Sequence, residues 1–169
     1  MAIIQGVPGY ITDQRTQIET HKANGMDVVT VQYANFDRVQ GFDVTQRLLQ
    51  AYPDVEIILA ANSYMTLGAA EAVAEAGRTD IDIFGAGGIL EELDGILAGR
   101  IKAAWLRDPL DMGLGAAEAI IKHLEGKTEE IQLSFNVPIR VVDSYETIVE
   151  YVNPATYTGM GREFPPPRP

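Results

Sequence analysis

Residues 50–77 read QAYPDVEIILAANSYMTLGAAEAVAEAG, and this stretch decides the fold. It contains the end of a helix, a turn at Pro53-Asp54, a short apolar strand, and a second helix that begins after Asn62. In an open α/β sheet, small ligands bind in the crevice beyond the carboxyl ends of the strands. Asn62 lies at such an end, where it can cap the helix or offer its amide to a ligand. The sequence leaves both roles open.

The same alternation of short apolar runs and helical patterns continues on both sides of this stretch. The runs are nearly continuously apolar, which is typical of strands covered by helices on both faces. Glycines 25, 77, 99 and 126 each follow a helical pattern, where a left-handed cap is favoured. The pattern predicts an α/β fold, a doubly wound parallel sheet with helices on both faces. The predicted strands are 2–5, 27–33, 56–61, 81–85, 101–106 and 137–142, and the predicted helices are 12–24, 43–51, 63–76, 90–98 and 110–124.

Bulk composition narrows the function. The chain has 169 residues, a size typical of one domain, and a net charge of −11, which argues against nucleic acid and anionic membranes as partners. No apolar run reaches the ~20 residues of a membrane-spanning helix. The absence of cysteine excludes disulfides and thiolate chemistry. The opening MAIIQGVPGY lacks the features of a secretory signal and leads directly into a strand, so we expect a fragment, a processed product or an excised domain.

The C-terminal end has a different character. Residues 153–169, NPATYTGMGREFPPPRP, hold five of the nine prolines and show no period. We therefore expect a lobe over residues 1–152 and a Pro-rich tail over residues 153–169. The run of prolines favours an extended conformation, predicted to be solvated or draped over the surface, with a ligand for a proline-binding module as the alternative.

Nothing in the sequence predicts catalysis, a metal or a cofactor. No G-x-S-x-G or H-E-x-x-H motif is present, and His21 and His123 have no partners at metal-ligand spacing. The glycines of residues 85–88 lack the G-x-G-x-x-G spacing of a dinucleotide site. The acidic pairs Glu91-Glu92 and Glu129-Glu130 are predicted to be solvated charge. We expect a protein that is not an enzyme.

Several segments together resemble one family. Besides residues 50–77, they are the GVPG loop with the arginine that follows it, NFDRVQGFDVTQRLL, and IDIFGAGGILEELDGILAGRIKAAWLRDPLDMGLGAAEAIIKHLEGK. As a set they resemble the second lobe of the sugar-binding type I periplasmic binding proteins, the ribose-binding-protein-like solute receptors of ABC importers. The resemblance covers about residues 2–142.

The resemblance implies a two-lobed clamshell that closes on one small polar ligand, of which this chain holds only the second lobe. In the family, residues 101–107 would recross the hinge, and the helix at 110–124 would pack on the first lobe. That helix carries an apolar stripe that must be buried, either on its own sheet or against a second copy as an exchanged element, so we expect a homodimer. The stripe consists of Leu110, Leu114, Ala117, Ile121 and Leu124.

The resemblance also implies five ligand-binding positions, Arg15, Phe36, Asn62, Gly87 and Arg107. An arginine fork would bind hydroxyls or a carboxylate, and an aromatic ring would stack on a sugar. The arginine near the first helix could equally lie on the surface, and the phenylalanine could equally belong to the core. Where the family carries an aspartate, this chain has Gly87, and where it carries a glutamine, this chain has Arg107. Either the site prefers an anionic ligand or it no longer binds.

Family resemblance therefore predicts a carbohydrate-type solute-binding lobe that works with an ABC permease in the periplasm and binds weakly or not at all alone. One alternative is a periplasmic sensor or accessory protein that partners a histidine kinase or chemoreceptor. Another is the effector-binding core of a LacI-type regulator, although the helix-turn-helix head and basic charge of such a regulator are missing.

Overall fold

A six-stranded sheet, in the order β2-β1-β3-β4-β5-β6, organises the protein. The computed structural model describes residues 1–9, 16–132, 134 and 137–166. Strands β1 to β5 pair in parallel, as the sequence predicted. Their carboxyl ends therefore share one edge of the sheet. The strands are β1 (Ala2–Gln5), β2 (Thr30–Tyr33), β3 (Ile57–Ala60), β4 (Asp82–Gly87), β5 (Ala103–Leu106) and β6 (Arg140–Val142).

Helices flank the sheet, which confirms the α/β class. The second and third helices pack so closely that a Cβ on Gly68 would lie 2.2 Å from the backbone oxygen of Arg38. Glycine at this position therefore sets their separation. The helices are α1 (Ile18–Ala23), α2 (Arg38–Ala51), α3 (Ser63–Glu75), α4 (Leu90–Leu97), α5 (Pro109–Leu124), α6 (Tyr145–Tyr151) and α7 (Pro154–Thr158), with a 3₁₀ turn at Thr128–Glu130.

The last strand departs from the predicted parallel sheet. β6 pairs antiparallel with β5, with Leu106 opposite Arg140. An antiparallel neighbour starts at the edge where the previous strand ends. The chain from 107 to 139, including α5, therefore leaves and returns at one edge instead of crossing over the sheet, as a helix between parallel strands does.

Helix ends follow local signals. α2 begins at Arg38, five residues before the predicted start, because the Asp37 carboxylate accepts a hydrogen bond from the Gln40 amide at 2.9 Å and caps the helix. The four predicted glycine caps have positive φ angles, between 66° and 81°. α6 and α7 were not predicted, because helices of 7 and 5 residues are too short to show a clear period.

The C-terminal segment was expected to be solvated or draped over the surface, and the solvated alternative is wrong for much of it. Tyr157 is fully buried in the main hydrophobic core, and its ring lies 5.5 Å from that of Phe164. The Arg162 guanidinium binds the Asp94 carboxylate of α4 at 2.7 and 2.9 Å. Residues 153–166 thus pack on the lobe, whereas residues 167–169 lie outside the described residues. The boundary at 152 stays a prediction.

Two apolar surfaces are left uncovered in the described chain. The first is the apolar stripe of α5, a helix with no buried residue. The second is a groove of about 300 Å³ on the sheet face opposite α2, α3 and α4, hereafter the sheet-face groove. Its lining includes Leu59, Phe84, Trp105 and Val141, together with Met26 beyond α1.

Candidate ligand-binding site

The parallel topology brings the loops that follow the first five strands to one edge. Phe36 follows β2, Asn62 follows β3, Gly87 ends β4, and Arg107 follows β5. Gly87 and Arg107 are exposed, while Phe36 and Asn62 are half-buried, so this edge is an open wall. Arg15, the fifth predicted residue, lies outside the described residues.

Asn62 joins two of these loops. Its Oδ1 accepts a hydrogen bond from the Met65 amide at 2.9 Å, which caps α3. Its Nδ2 donates to the backbone oxygen of Phe36 at 3.2 Å. A primary amide has two donor hydrogens and two acceptor lone pairs, so one of each is left for a ligand. The capping role predicted for this residue is therefore compatible with a binding role.

Phe36 stands in an unusual backbone conformation over the end of β1. Its φ is 60° and that of Asn35 is 48°, both left-handed and uncommon for residues other than glycine. The ring covers Gly6, where a Cβ would lie only 2.1 to 2.4 Å from ring atoms. Part of the ring packs on the core and part is exposed, so the ring is a core residue and also has a surface that a sugar could contact.

Gly87 has no room for a side chain. A Cβ at this position would lie 2.0 Å from the Ser63 hydroxyl oxygen. The residue can therefore offer a ligand only its backbone groups. The Ser63 side chain of α3 occupies the space where that Cβ would lie.

Sequence reasoning missed Glu92, which lies directly beneath this edge. It was predicted to be solvated, yet it is fully buried, so that expectation is wrong. Its Oε2 accepts hydrogen bonds from the Ser63 hydroxyl at 2.6 Å and the Gly88 amide at 2.7 Å. Burial raises the pKa of Glu92, and its contacts with Ser63, Gly88 and Thr66 oppose the rise. The run of small residues at 85–88 was the available signal, because glycines leave space for a side chain from a neighbouring element.

Its neighbour Glu91 is exposed, as predicted, and pairs with Arg38 at 2.6 Å. The adjacent acids separate because successive helix positions differ by about 100° around the axis. One therefore faces solvent and the other faces the sheet.

Arg107 is directed away from the asparagine and the phenylalanine. Its guanidinium lies over the Trp105 ring, 5.9 Å from the ring centroid, at the sheet-face groove. The structure thus brings Phe36, Asn62 and Gly87 to one neighbourhood and orients Arg107 toward another face.

Two kinds of site are not found in the described ranges. No group of three or more His, Cys, Asp or Glu residues there could hold a metal ion. No described helix is long and apolar enough to cross a membrane.

Comparison with known proteins gives a consistent result. Residues 2–128 match the family model for the periplasmic binding protein domain. The chain is 34% identical over 125 residues to the ribose import binding protein RbsB of Escherichia coli (strain K12), covering 74% of this chain and 40% of that protein. It is 32% identical over 149 residues to the D-allose-binding periplasmic protein of the same organism, covering 85% of this chain and 48% of that protein.

A solved structure agrees with these relatives. An ABC transporter periplasmic solute binding protein from Actinobacillus succinogenes 130z, with bound D-allose, superposes with a TM-score of 0.79 at 28% identity. The match covers 86% of this chain and 53% of that chain. The chain spans about half the length of the proteins that it matches.

Proposed function

Because this chain belongs to the periplasmic binding protein domain family, we propose that it is one lobe of a receptor that binds a small carbohydrate-type solute at the strand-end edge and serves an ABC permease. The observation that carries the proposal is the hydrogen bond from the Asn62 amide to the backbone oxygen of Phe36, which ties the loop that carries an aromatic ring to the loop after β3 at the carboxyl ends of the strands. The sugars named for the relatives are carried over here as candidate ligands.

The chemistry of this edge suits a polyhydroxylated ligand. An aromatic ring offers a large rigid surface to the apolar face of a sugar ring. The remaining amide donor and acceptor of Asn62 match a hydroxyl, which both donates and accepts. Arg15 would add a cationic donor, and so would Arg107 if its guanidinium left the Trp105 ring and turned to the edge; both would favour a ligand with a carboxylate or phosphate. The assignment of all five predicted positions to ligand binding is part of this proposal.

Binding, not catalysis, is the activity that we propose. The relatives carry names of binding proteins, and the described residues hold no metal-binding cluster. The proposed working place is the periplasm, because the D-allose-binding relative is named a periplasmic protein.

A single wall binds weakly. Small-molecule sites bury about 70–90% of the ligand surface, and an open edge can cover only one side. We therefore expect no affinity tighter than millimolar when the isolated chain is titrated calorimetrically with pentoses and hexoses. Micromolar affinity of a monomer would contradict the idea that this is half of a site.

Nuclear magnetic resonance can locate such weak binding. Titration with D-ribose or D-allose should shift the amide signals of Phe36, Asn62 and Gly88. The shifts should vanish in Asn62→Ala but persist in Val141→Ala, a matched control at the sheet-face groove. Shifts confined to the groove, or no shift with any sugar, would refute the proposed site.

The apolar stripe of α5 calls for a protein partner. We propose that it is buried either by a first lobe or by a second copy of this chain, and the homodimer is the form that the isolated chain can adopt. Light scattering at about 100 µM should give the mass of a dimer. A monomer mass at that concentration would refute the homodimer and leave a first lobe as the partner.

A further inference from the structure

Glu92 is the titratable side chain of the described core whose surroundings are least suited to a charge. It belongs to the first turn of α4 and is 0% exposed. Its Oε2 accepts hydrogen bonds from the Ser63 hydroxyl and from the Gly88 amide. Its Oε1 has no hydrogen-bond partner in the part of the chain that the structure describes.

No described group supplies a countercharge. Ser63 and Thr66 of α3 and Gly85 of β4 line the pocket around the carboxyl group, and none of them is titratable. On its own helix, Glu91 is exposed and paired with Arg38, and Asp94 is paired with Arg162. An ion buried without a partner is strongly unfavourable.

Oε1 lies beside the Thr66 hydroxyl, but that hydroxyl already donates its hydrogen to the backbone oxygen of Asn62 at 2.8 Å. Thr66 can therefore only accept from Glu92. A carboxylic acid can donate where a carboxylate cannot. A proton on Oε1 would let this atom donate to the Thr66 oxygen and so gain the partner that it lacks as a carboxylate oxygen.

We propose that Glu92 is a positioning residue that works as a neutral carboxylic acid. Oε1–H donates to Thr66, Thr66 donates to the carbonyl of Asn62, and Oε2 accepts from Ser63 and Gly88. The acid thereby ties the first turn of α3, which carries Asn62, to the loop after β4. The dipole of α4 favours an anion near its N-terminus, but the cost of complete burial is larger.

The network supports the ligand-binding edge from below, and this consequence rests on the proposed function. It fixes the relative position of Asn62 and Gly88 without touching a ligand. Ionisation of Glu92 would break the Oε1–Thr66 bond and place a charge beneath the edge. The edge should therefore be well ordered in acid and loosen as Glu92 ionises.

The test is a carbon-detected titration of the glutamate carboxyl groups in the ligand-free protein. The Glu92 signal is assigned by its loss in Glu92→Gln, and Glu75→Gln assigns an exposed glutamate on α3 as the matched control. We expect the Glu92 midpoint to lie at higher pH than that of Glu75. Coincident midpoints would overturn the proposal.

Amide signals separate positioning from simple packing. The amide shifts of Gly88 and Met65 should follow the Glu92 titration in the natural sequence and become independent of pH in Glu92→Gln, whose amide can also donate to Thr66 and accept from Ser63. A role in packing alone would give shifts that do not follow pH, and that result would overturn the proposal. Both readings use no sugar, so failure of the D-ribose titration alone would count against the proposed function and leave Glu92 unaffected.

Discussion

At the scale of single residues, the binding edge depends on side chains with two roles. Asn62 caps α3 and also holds the backbone of Phe36. A residue that stabilises the fold and faces a ligand cannot be assigned by one measurement. Substitutions that remove one of its atoms at a time are needed.

The two roles of the Asn62 amide can be separated by two substitutions. Asn62→Ala removes the cap and should lower the free energy of unfolding by about 0.5–2 kcal/mol. Asn62→Asp keeps an acceptor for the Met65 amide but loses the donor to Phe36, so it should retain most of that stability and lose the sugar-induced shifts. Urea denaturation measures the first effect. Equal losses for the two variants would show that the cap is not what the residue contributes.

The pH dependence of stability follows from Glu92. Its pKa is raised in the folded protein, so the folded state binds the proton more tightly than the unfolded state. Its stabilising contribution is complete below the pKa of an unfolded glutamate, about 4.3, and is lost as the pH rises through the folded value. The dipole of α4 stabilises the ionised carboxylate by about 0.3–1 kcal/mol, which is less than the desolvation cost of several kcal/mol for burying the charge.

We therefore expect the natural protein to lose stability, relative to Glu92→Gln, as the pH rises above the pKa of an unfolded glutamate, about 4.3. Urea midpoints of the two proteins, compared at several pH values, measure this difference. Glu75→Gln is the control for removing one negative charge. A constant difference across the range would contradict an altered protonation of Glu92.

At the scale of elements, α5 is the helix that the fold does not use. The chain that contains α5 leaves the sheet after β5 and returns to it at the same edge, because β6 is antiparallel to β5. Its apolar stripe therefore has no sheet beneath it in the described chain. An amphipathic helix in this state is typical of a surface that another protein covers.

A double substitution tests this surface. Leu114 and Ile121 are 59% and 55% exposed, so Leu114→Gln/Ile121→Gln should change the stability of the monomer by less than about 0.5 kcal/mol. The same pair should weaken self-association, as measured by sedimentation velocity. Val39→Gln, at an exposed apolar residue of α2, should leave the association unchanged. A marked loss of monomer stability would mean that the stripe packs within its own chain.

At the scale of the whole molecule, the C-terminal segment closes the core. Tyr157 brings α7 into the main hydrophobic cluster, and Arg162 holds the segment to α4. The segment is thus part of the lobe's stability, although its composition is that of a tail.

Two substitutions at Tyr157 distinguish a core residue from a tail residue. Tyr157→Ala should destabilise the protein by about 3–5 kcal/mol, the range for large aromatic truncations. Tyr157→Phe should be nearly neutral, because the buried hydroxyl has no hydrogen-bond partner among the described residues. Thermal unfolding of both variants measures the contrast. If Tyr157→Ala left the stability unchanged, residues 153–166 would be a tail that does not contribute to the core.

The sequence by itself determined the α/β class and the first five strands, because apolar runs and helical periods are local signals. It also placed Asn62 at a strand end, and the family resemblance added Phe36 and Gly87, which the parallel sheet brings to the same edge. The sequence also predicted the left-handed glycine caps at helix ends, such as Gly77.

Only the tertiary structure decided the direction of β6, the burial of Tyr157 and the environment of Glu92. Each depends on contacts between residues far apart in the chain. The amphipathic sequence of α5 is compatible with a helix that packs across the sheet between parallel strands and also with a helix that packs away from the sheet. Glu92 resembles a surface acid until Ser63 and Gly88 are seen around it, because burial is a property of the packed neighbours and not of the residue itself.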